Sequence, residues 1–107
     1  MYVIATRSFP PEVGGMQSLI WGLSREMSKN FMIKVFADYH ENHKEFDSNA
    51  NFSIERVGGI KFLRKIRKAQ LINEFLKENK VKGIVADHWK SLELIKTDKK
   101  KILFNSR

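Results

Sequence analysis

The chain has no cysteine, and its only two prolines stand side by side. Without cysteine, neither a disulfide framework nor a thiolate zinc site can form. That suits a reducing compartment, so a cytoplasmic location is expected. Long apolar runs are also missing; the longest is a handful of residues, too short to span a bilayer. No basic leader followed by an apolar stretch precedes the first strand-like run, so no secretory signal is expected. Acidic side chains are scarce as well. Twelve Asp and Glu face twenty Lys and Arg, a net charge of +8. A charge of that size implies an anionic partner: nucleic acid, phosphates or an acidic membrane face.

What is present supports one small α/β domain. Hydrophobic residues make up 42% of the 107 positions, enough for a core, and the 30% that are charged fit a wet surface. "YVIAT" (2–6) is apolar in succession, the pattern of a strand covered on both faces. Met16, Leu19, Ile20, Leu23 and Met27 recur at helical spacing and predict one buried face. "FMIKVFAD" (31–38) reads as a second strand, the polar stretch 39–51 as a loop, and the alternating "FSIERV" (52–57) as a third strand closed by Gly58-Gly59. Phe62, Leu63, Ile66, Ala69, Ile72, Phe75 and Leu76 mark one side of a helix over 61–79. "VKGIVAD" (81–87) and "KILFNS" (101–106) complete five strands, with a short helix expected over 91–96. Strands alternating with helices predict a Rossmann-like parallel sheet with helices on both faces. There is no internal repeat, low-complexity segment or linker. A doubly wound sheet normally continues beyond such a final strand, so the chain is expected to be the N-terminal piece of a longer one.

The most constrained backbone is "FPPEVGG" (9–15), between the first strand and the first helix. Ligands of parallel sheets sit outside the carboxyl ends of the strands, where a strand hands over to a helix. Glycine admits close approach and positive φ, and exposed amides at a helix start favour anions. Pro10-Pro11 stiffen the approach. The chemistry suggested is a phosphate cradle formed by Gly14 and Gly15. The spacing is neither a P-loop nor G-x-G-x-x-G, and a tight turn without ligand is the alternative.

"FPPEVGGMQSLIWGLSREMSKN", with "IKVFAD" after it, resembles the N-terminus of family 4 glycosyltransferases of GT-B architecture. Pro11, Glu12, Val13, Gly14 and Gly15 match, in order, that family's proline-glutamate-hydrophobic-glycine-glycine loop. "VKGIVADHWKSLEL" is similar to its fourth-strand segment, and the likeness covers essentially the whole chain. The resemblance implies a hexosyltransferase-type enzyme of cell-envelope glycan synthesis, built from two Rossmann-like domains. Residues 1–107 would be part of the acceptor-side domain, and the donor-binding C-terminal domain would be absent. A sugar would pass from a nucleotide-sugar donor to the hydroxyl of a sugar, polysaccharide or lipid-linked acceptor, with stereochemical retention. No metal or other cofactor is expected, since the nucleotide-sugar is a substrate. Carried over, Gly14 and Gly15 offer amides to the donor phosphates. Glu12 orients the loop or meets an acceptor hydroxyl, a solvated turn acid being the alternative. Gln17, in the first helical turn, touches acceptor or donor.

His88, in "DHW", follows a strand at the same edge and is the candidate catalytic group, hydrogen-bonding a sugar hydroxyl or offsetting charge as the glycosidic bond breaks. The family segment often carries its His one position earlier, where this chain has Asp87; the alternative is a loop His packed on Trp89. His40 and His43 have metal-ligand spacing only if helical, and no third ligand is evident, so a solvated loop is expected there. Lys61, Arg64, Lys65, Arg67 and Lys68 surround the apolar stripe of the long helix. They are expected on its wet outer face and suit docking at the inner face of an anionic membrane. The alternative function is a basic α/β module that binds nucleic acid or an anionic surface without catalysis. Nucleic acid is not the expected partner, because Phe9, Trp21 and Trp89 form no aromatic platform among the basic residues. A receiver-type switch is excluded by a first strand that ends in Thr6-Arg7 where an acid cluster is needed.

Overall fold

The computed structural model describes residues 1–7, 9–86 and 94–95, and the backbone of 102–105. In chain order the elements are β1 (Tyr2–Ala5), α1 (Gly15–Ser28), β2 (Ile33–Asp38), α2 (His43–Ser48), β3 (Ser53–Val57), α3 (Lys61–Glu78), β4 (Gly83–Ala86) and β5 (Ile102–Asn105). The five strands form one sheet in the order β3-β2-β1-β4-β5, and every neighbouring pair is parallel. This is the Rossmann-like arrangement that the alternation of elements predicts. The chain steps outward through β1, β2 and β3, then returns past β1 to β4, so the order reverses between β1 and β4.

Burial follows position in the sheet. Val3, Ile4 and Ala5 of β1 and all of β4 are buried, as central parallel strands covered on both faces must be. Edge strand β3 is only partly covered: Ser53 is exposed, the next three residues are half-buried, and Val57 is buried. On one face, Val3, Ala5, Phe36 and Ile84 pack with Ala69 and Ile72 of α3 and with Val81 and Ile95. On the other, Ile4, Val35, Ala37 and Val85 pack with Ile20 of α1, and Trp21, Leu23, Met27 and Phe46 lie against them.

Two helices differ from the periodic reading. In α1 the buried stripe runs through Ile20 and Ser24, and Leu19 is 55% exposed on its flank. The buried Ser24 hydroxyl donates to the carbonyl of Ile20 at 2.8 Å, so no polar atom is stranded there. In α3, Phe62 and Leu63 are exposed, at 71% and 56%. The reason is length. Eighteen helical residues run about 27 Å, whereas strands of four to six residues run about 13–20 Å. The first turns of α3 therefore overhang the carboxyl edge of the sheet. Residues 39–51 also hold a helix, the six-residue α2, where the polar sequence predicts a loop. Among the described residues, no helix is long and apolar enough to cross a membrane.

Candidate functional site

At the carboxyl edge, β1 gives way to Thr6-Arg7 and β2 ends in Asp38. The overhanging start of α3 lies above both. Lys68, only 5% exposed, donates to the carbonyl of Thr6 at 3.0 Å and to the Asp38 carboxylate. Arg64, one turn earlier, lies 3.2 Å from the other Asp38 oxygen through its Nε. A buried ammonium must be paired and hydrogen-bonded, and these acceptors supply that. The Asp38 carboxylate thus holds two cations of α3 against the ends of β1 and β2.

Two cavities open around this cluster. The larger, about 340 Å³, lies under the first turns of α3 and is lined by Arg7, Asp38, Lys61, Phe62, Arg64, Lys65, Lys68 and Ala69. Its described lining carries five cationic side chains and one carboxylate. The second, about 280 Å³, is lined by Arg7, Phe9, Glu12, Asp38, Tyr39, His40 and Arg64. Arg7, Asp38 and Arg64 belong to both, so the two form one continuous region that reaches from α3 to the opening loop.

That loop is anchored at its base and bare at its tip. Phe9 is buried, ringed edge-on by Trp21 and Phe46. The Pro10–Pro11 peptide bond is cis. Arg56 of β3, whose side chain is 4% exposed, donates to the carbonyl of Pro10 at 2.6 Å and to that of Asp38 at 3.2 Å. The same guanidinium grips both oxygens of Asp47 in α2, at 2.7 and 3.1 Å, and lies over the Phe9 ring. One fork-shaped cation therefore ties β3, α2, the end of β2 and the opening loop together. Beyond this clamp, Val13 is 94% exposed.

Glu12 and Gln17 are brought together: the Gln17 amide donates to the Glu12 carboxylate. Glu12 also lines the smaller cavity. Gly14 is the N-cap of α1, with φ 165° and ψ 171°, an extended conformation open to any residue. A Cβ there would meet the Gln17 side-chain amide, the far end of a flexible side chain that can turn aside. Gly15 is exposed, and a Cβ on it would meet nothing within 4 Å. Neither glycine lies in the left-handed region, so conformational freedom is not what the turn uses. Gly59, closing β3, is the glycine that does, at φ 105°. Among the described residues no side chain caps α1, and its first turn has no acidic residue, so its amides have no described side-chain partner of the usual kind. Neither glycine is among the described residues that line the two cavities.

The five basic residues assigned to an outer face divide. Lys61 and Arg67 are exposed, while Arg64 and Lys65 are half-buried. Lys68 is buried against the sheet edge and presents no ammonium to an outer surface. The corrected reason is that Asp38 and the Thr6 carbonyl draw it inward. His43 begins α2, and its Nδ1 lies 3.0 Å from Asp47. His40 accepts from the Asn42 amide at 3.1 Å. Both rings are thus engaged in local contacts, and among the described residues no cluster of His, Asp or Glu is placed to hold a metal. His88, its neighbours Asp87 and Trp89, and most of the expected helix over 91–96 lie outside the described residues.

Three members of the region were not singled out from sequence: Arg7, Asp38 and Arg56. Arg7 and Asp38 stand directly after or at the end of apolar strands, and strand ends at the carboxyl edge are a signal that needs only the element order. Arg56 sits mid-strand and gives no such signal. Compared with known proteins, the chain matches no protein-family model, no curated protein and no solved structure.

Proposed function

We propose that the chain is the acceptor-side part of a sugar-transferring enzyme of the kind its opening loop resembles, the family 4 glycosyltransferases of GT-B architecture. The observation that carries this reading is Gly15. It stands at the first helical position of α1 with ordinary backbone geometry and open space where a side chain would go. Nothing within the described chain requires a glycine there, and alanine would favour the helix. Close approach of an external group accounts for it, and uncapped amides at a helix start suit a diphosphate.

In this reading the bond from the donor's anomeric carbon to its diphosphate oxygen breaks as the acceptor hydroxyl bonds to that carbon and passes its proton to the departing diphosphate. The amides at the start of α1 offset charge on the departing diphosphate, and positioning of donor and acceptor supplies much of the rate. Glu12, held by Gln17 at the cavity rim, meets an acceptor hydroxyl. The nucleotide itself is held by a second domain, so these 107 residues alone give no turnover.

The test is a titration of the isotopically labelled chain with pyrophosphate and nucleoside diphosphates, read at the backbone amides. Saturable shifts of Gly14, Gly15 and Met16 are expected. Unmoved amides at α1 beside shifts elsewhere would overturn the reading, as would measurable sugar transfer by this chain alone.

A second reading has its own observation. Ile60, Phe62 and Leu63 are exposed, at 68%, 71% and 56%, beside Lys61. Apolar side chains rimmed by a cation suit an anionic membrane surface, and a lipid-linked acceptor would be met there.

A further inference from the structure

The smaller cavity is walled by residues whose formal charges cancel. Arg7 and Arg64 stand against Glu12 and Asp38, so the lining does not call for an ion of either sign. Its unmet chemistry is that of hydrogen bonds. His40 accepts the Asn42 amide at Nδ1, 3.1 Å away. Only a ring nitrogen without a proton accepts an N–H, so the His40 proton is on Nε2, which is left as a donor. One Glu12 oxygen is held by Gln17, and the other has no partner among the described residues. The Tyr39 hydroxyl has none among them either.

The shape and the walls narrow the ligand class. About 280 Å³ is near the lower end of small-molecule sites, room for a single small ring. Phe9 and Tyr39 give it aromatic wall. Tyr39 is 55% exposed, and its ring is met edge-on by His43, with centroids 5.2 Å apart. A donor, an acceptor and a phenol that does both are what hydroxyl groups need, since each hydroxyl donates and accepts. An aromatic face with a polar tip suits a ligand that is apolar on its C–H face and wet at its rim.

We infer that the smaller cavity binds an uncharged polyol, one sugar ring of a carbohydrate. The His40 Nε2–H donates to one ring hydroxyl, the second Glu12 oxygen accepts from a neighbouring one, and the ring lies along Tyr39. Calling that sugar the acceptor rests on the sugar-transfer reading; the polyol site does not. Amides of residues 39–42 report this site and those of Gly14 to Met16 report the donor diphosphate, so either can fail while the other stands.

The experiment titrates the labelled chain at constant ionic strength with glucose, with tetrahydropyran (the same ring without hydroxyl groups) and with inorganic phosphate. The ring nitrogens of His40 are read beside the amides. The free chain should show the His40 proton on Nε2, and glucose should move that nitrogen and amides 39–42 saturably. Tetrahydropyran and phosphate should not. His40→Ala, at a half-buried loop position, should weaken glucose about fivefold, the loss of one neutral hydrogen bond. His40→Gln, which keeps a side-chain N–H, should recover part of that loss. Lys44→Ala, exposed on α2 and outside the cavity lining, is the control and should change nothing. Should a variant fail to fold, the parent-chain readings still decide. A His40 proton on Nδ1, no saturable response to glucose, an equal one to tetrahydropyran, or a phosphate response in its place would each overturn the inference.

Discussion

Lys68 on α3 donates its ammonium to the main-chain carbonyl of Thr6, 3.0 Å away and 62 residues earlier in the chain. The bond sets the height of α3 against the end of β1. It leaves the two turns before Lys68 beyond the sheet, and those turns form one wall of the larger cavity.

Replacing Lys68 with methionine should therefore disturb the site and the fold together. The Thr6 carbonyl would lose this donor, and Asp38 would keep its pairing with Arg64. Breaking one side of a buried pair costs about 3 kcal/mol. Combined with Asp38→Asn, the loss should fall short of additive by about 1–2 kcal/mol, as for partners in one network. Urea denaturation of the four forms measures this. Additive losses would mean that the two side chains act separately.

Arg56 should tolerate no conservative exchange. A lysine keeps the charge but cannot grip both oxygens of Asp47 and reach Pro10 in one geometry. Arg56→Lys is expected to destabilise by about 2 kcal/mol through buried acceptors left unmade. Amide exchange should rise first in α2 and around the opening loop. Exchange that rises uniformly over the sheet would argue against a local clamp.

The parts of the fold that were legible are those governed by repeated local patterns. Val3 to Ala5 and Gly83 to Ala86 are buried on both faces and read as continuous apolar strands. Ala69, Ile72, Phe75 and Leu76 read as a helical stripe because the sheet lies under them. α2 was not legible. Six residues are under two turns, too few for a period to register, and its place depends on two contacts distant in sequence. Phe46 packs against Trp21 with ring centroids 4.8 Å apart, and Asp47 is held by Arg56. The glycine turn was visible because its composition is local. The cluster of Asp38, Arg64 and Lys68 was not, since no spacing along the chain announces that a basic helix face will turn toward the end of β2. Lys68 read as a surface cation for that reason.

If the overhanging turns of α3 meet a membrane, apolar contact and charge should both matter. Cosedimentation with anionic vesicles is expected to exceed that with neutral ones, by about 1 kcal/mol for each basic residue near the surface. Phe62→Ser with Leu63→Ser should weaken it without unfolding the chain, because both side chains are already exposed. Equal binding to both kinds of vesicle would remove the membrane reading.

Gly15 separates folding from function most cleanly. A methyl group there meets nothing within 4 Å, and the backbone is ordinary. Gly15→Ala should therefore stabilise the chain by about 0.4–1 kcal/mol through the unfolded state. That corresponds to a rise in Tm of about 2–6 °C for a domain of this size. Gly22, in the middle of α1, is equally open around its Cα and serves as the control. Gly22→Ala should raise stability in the same way and leave pyrophosphate binding intact. Gly15→Ala should lose that binding by an order of magnitude or so, because its methyl group occupies the space through which a diphosphate approaches the amides. A Gly15→Ala chain that is more stable and still binds pyrophosphate as the parent does would leave the glycine without a role, and the phosphate cradle with it.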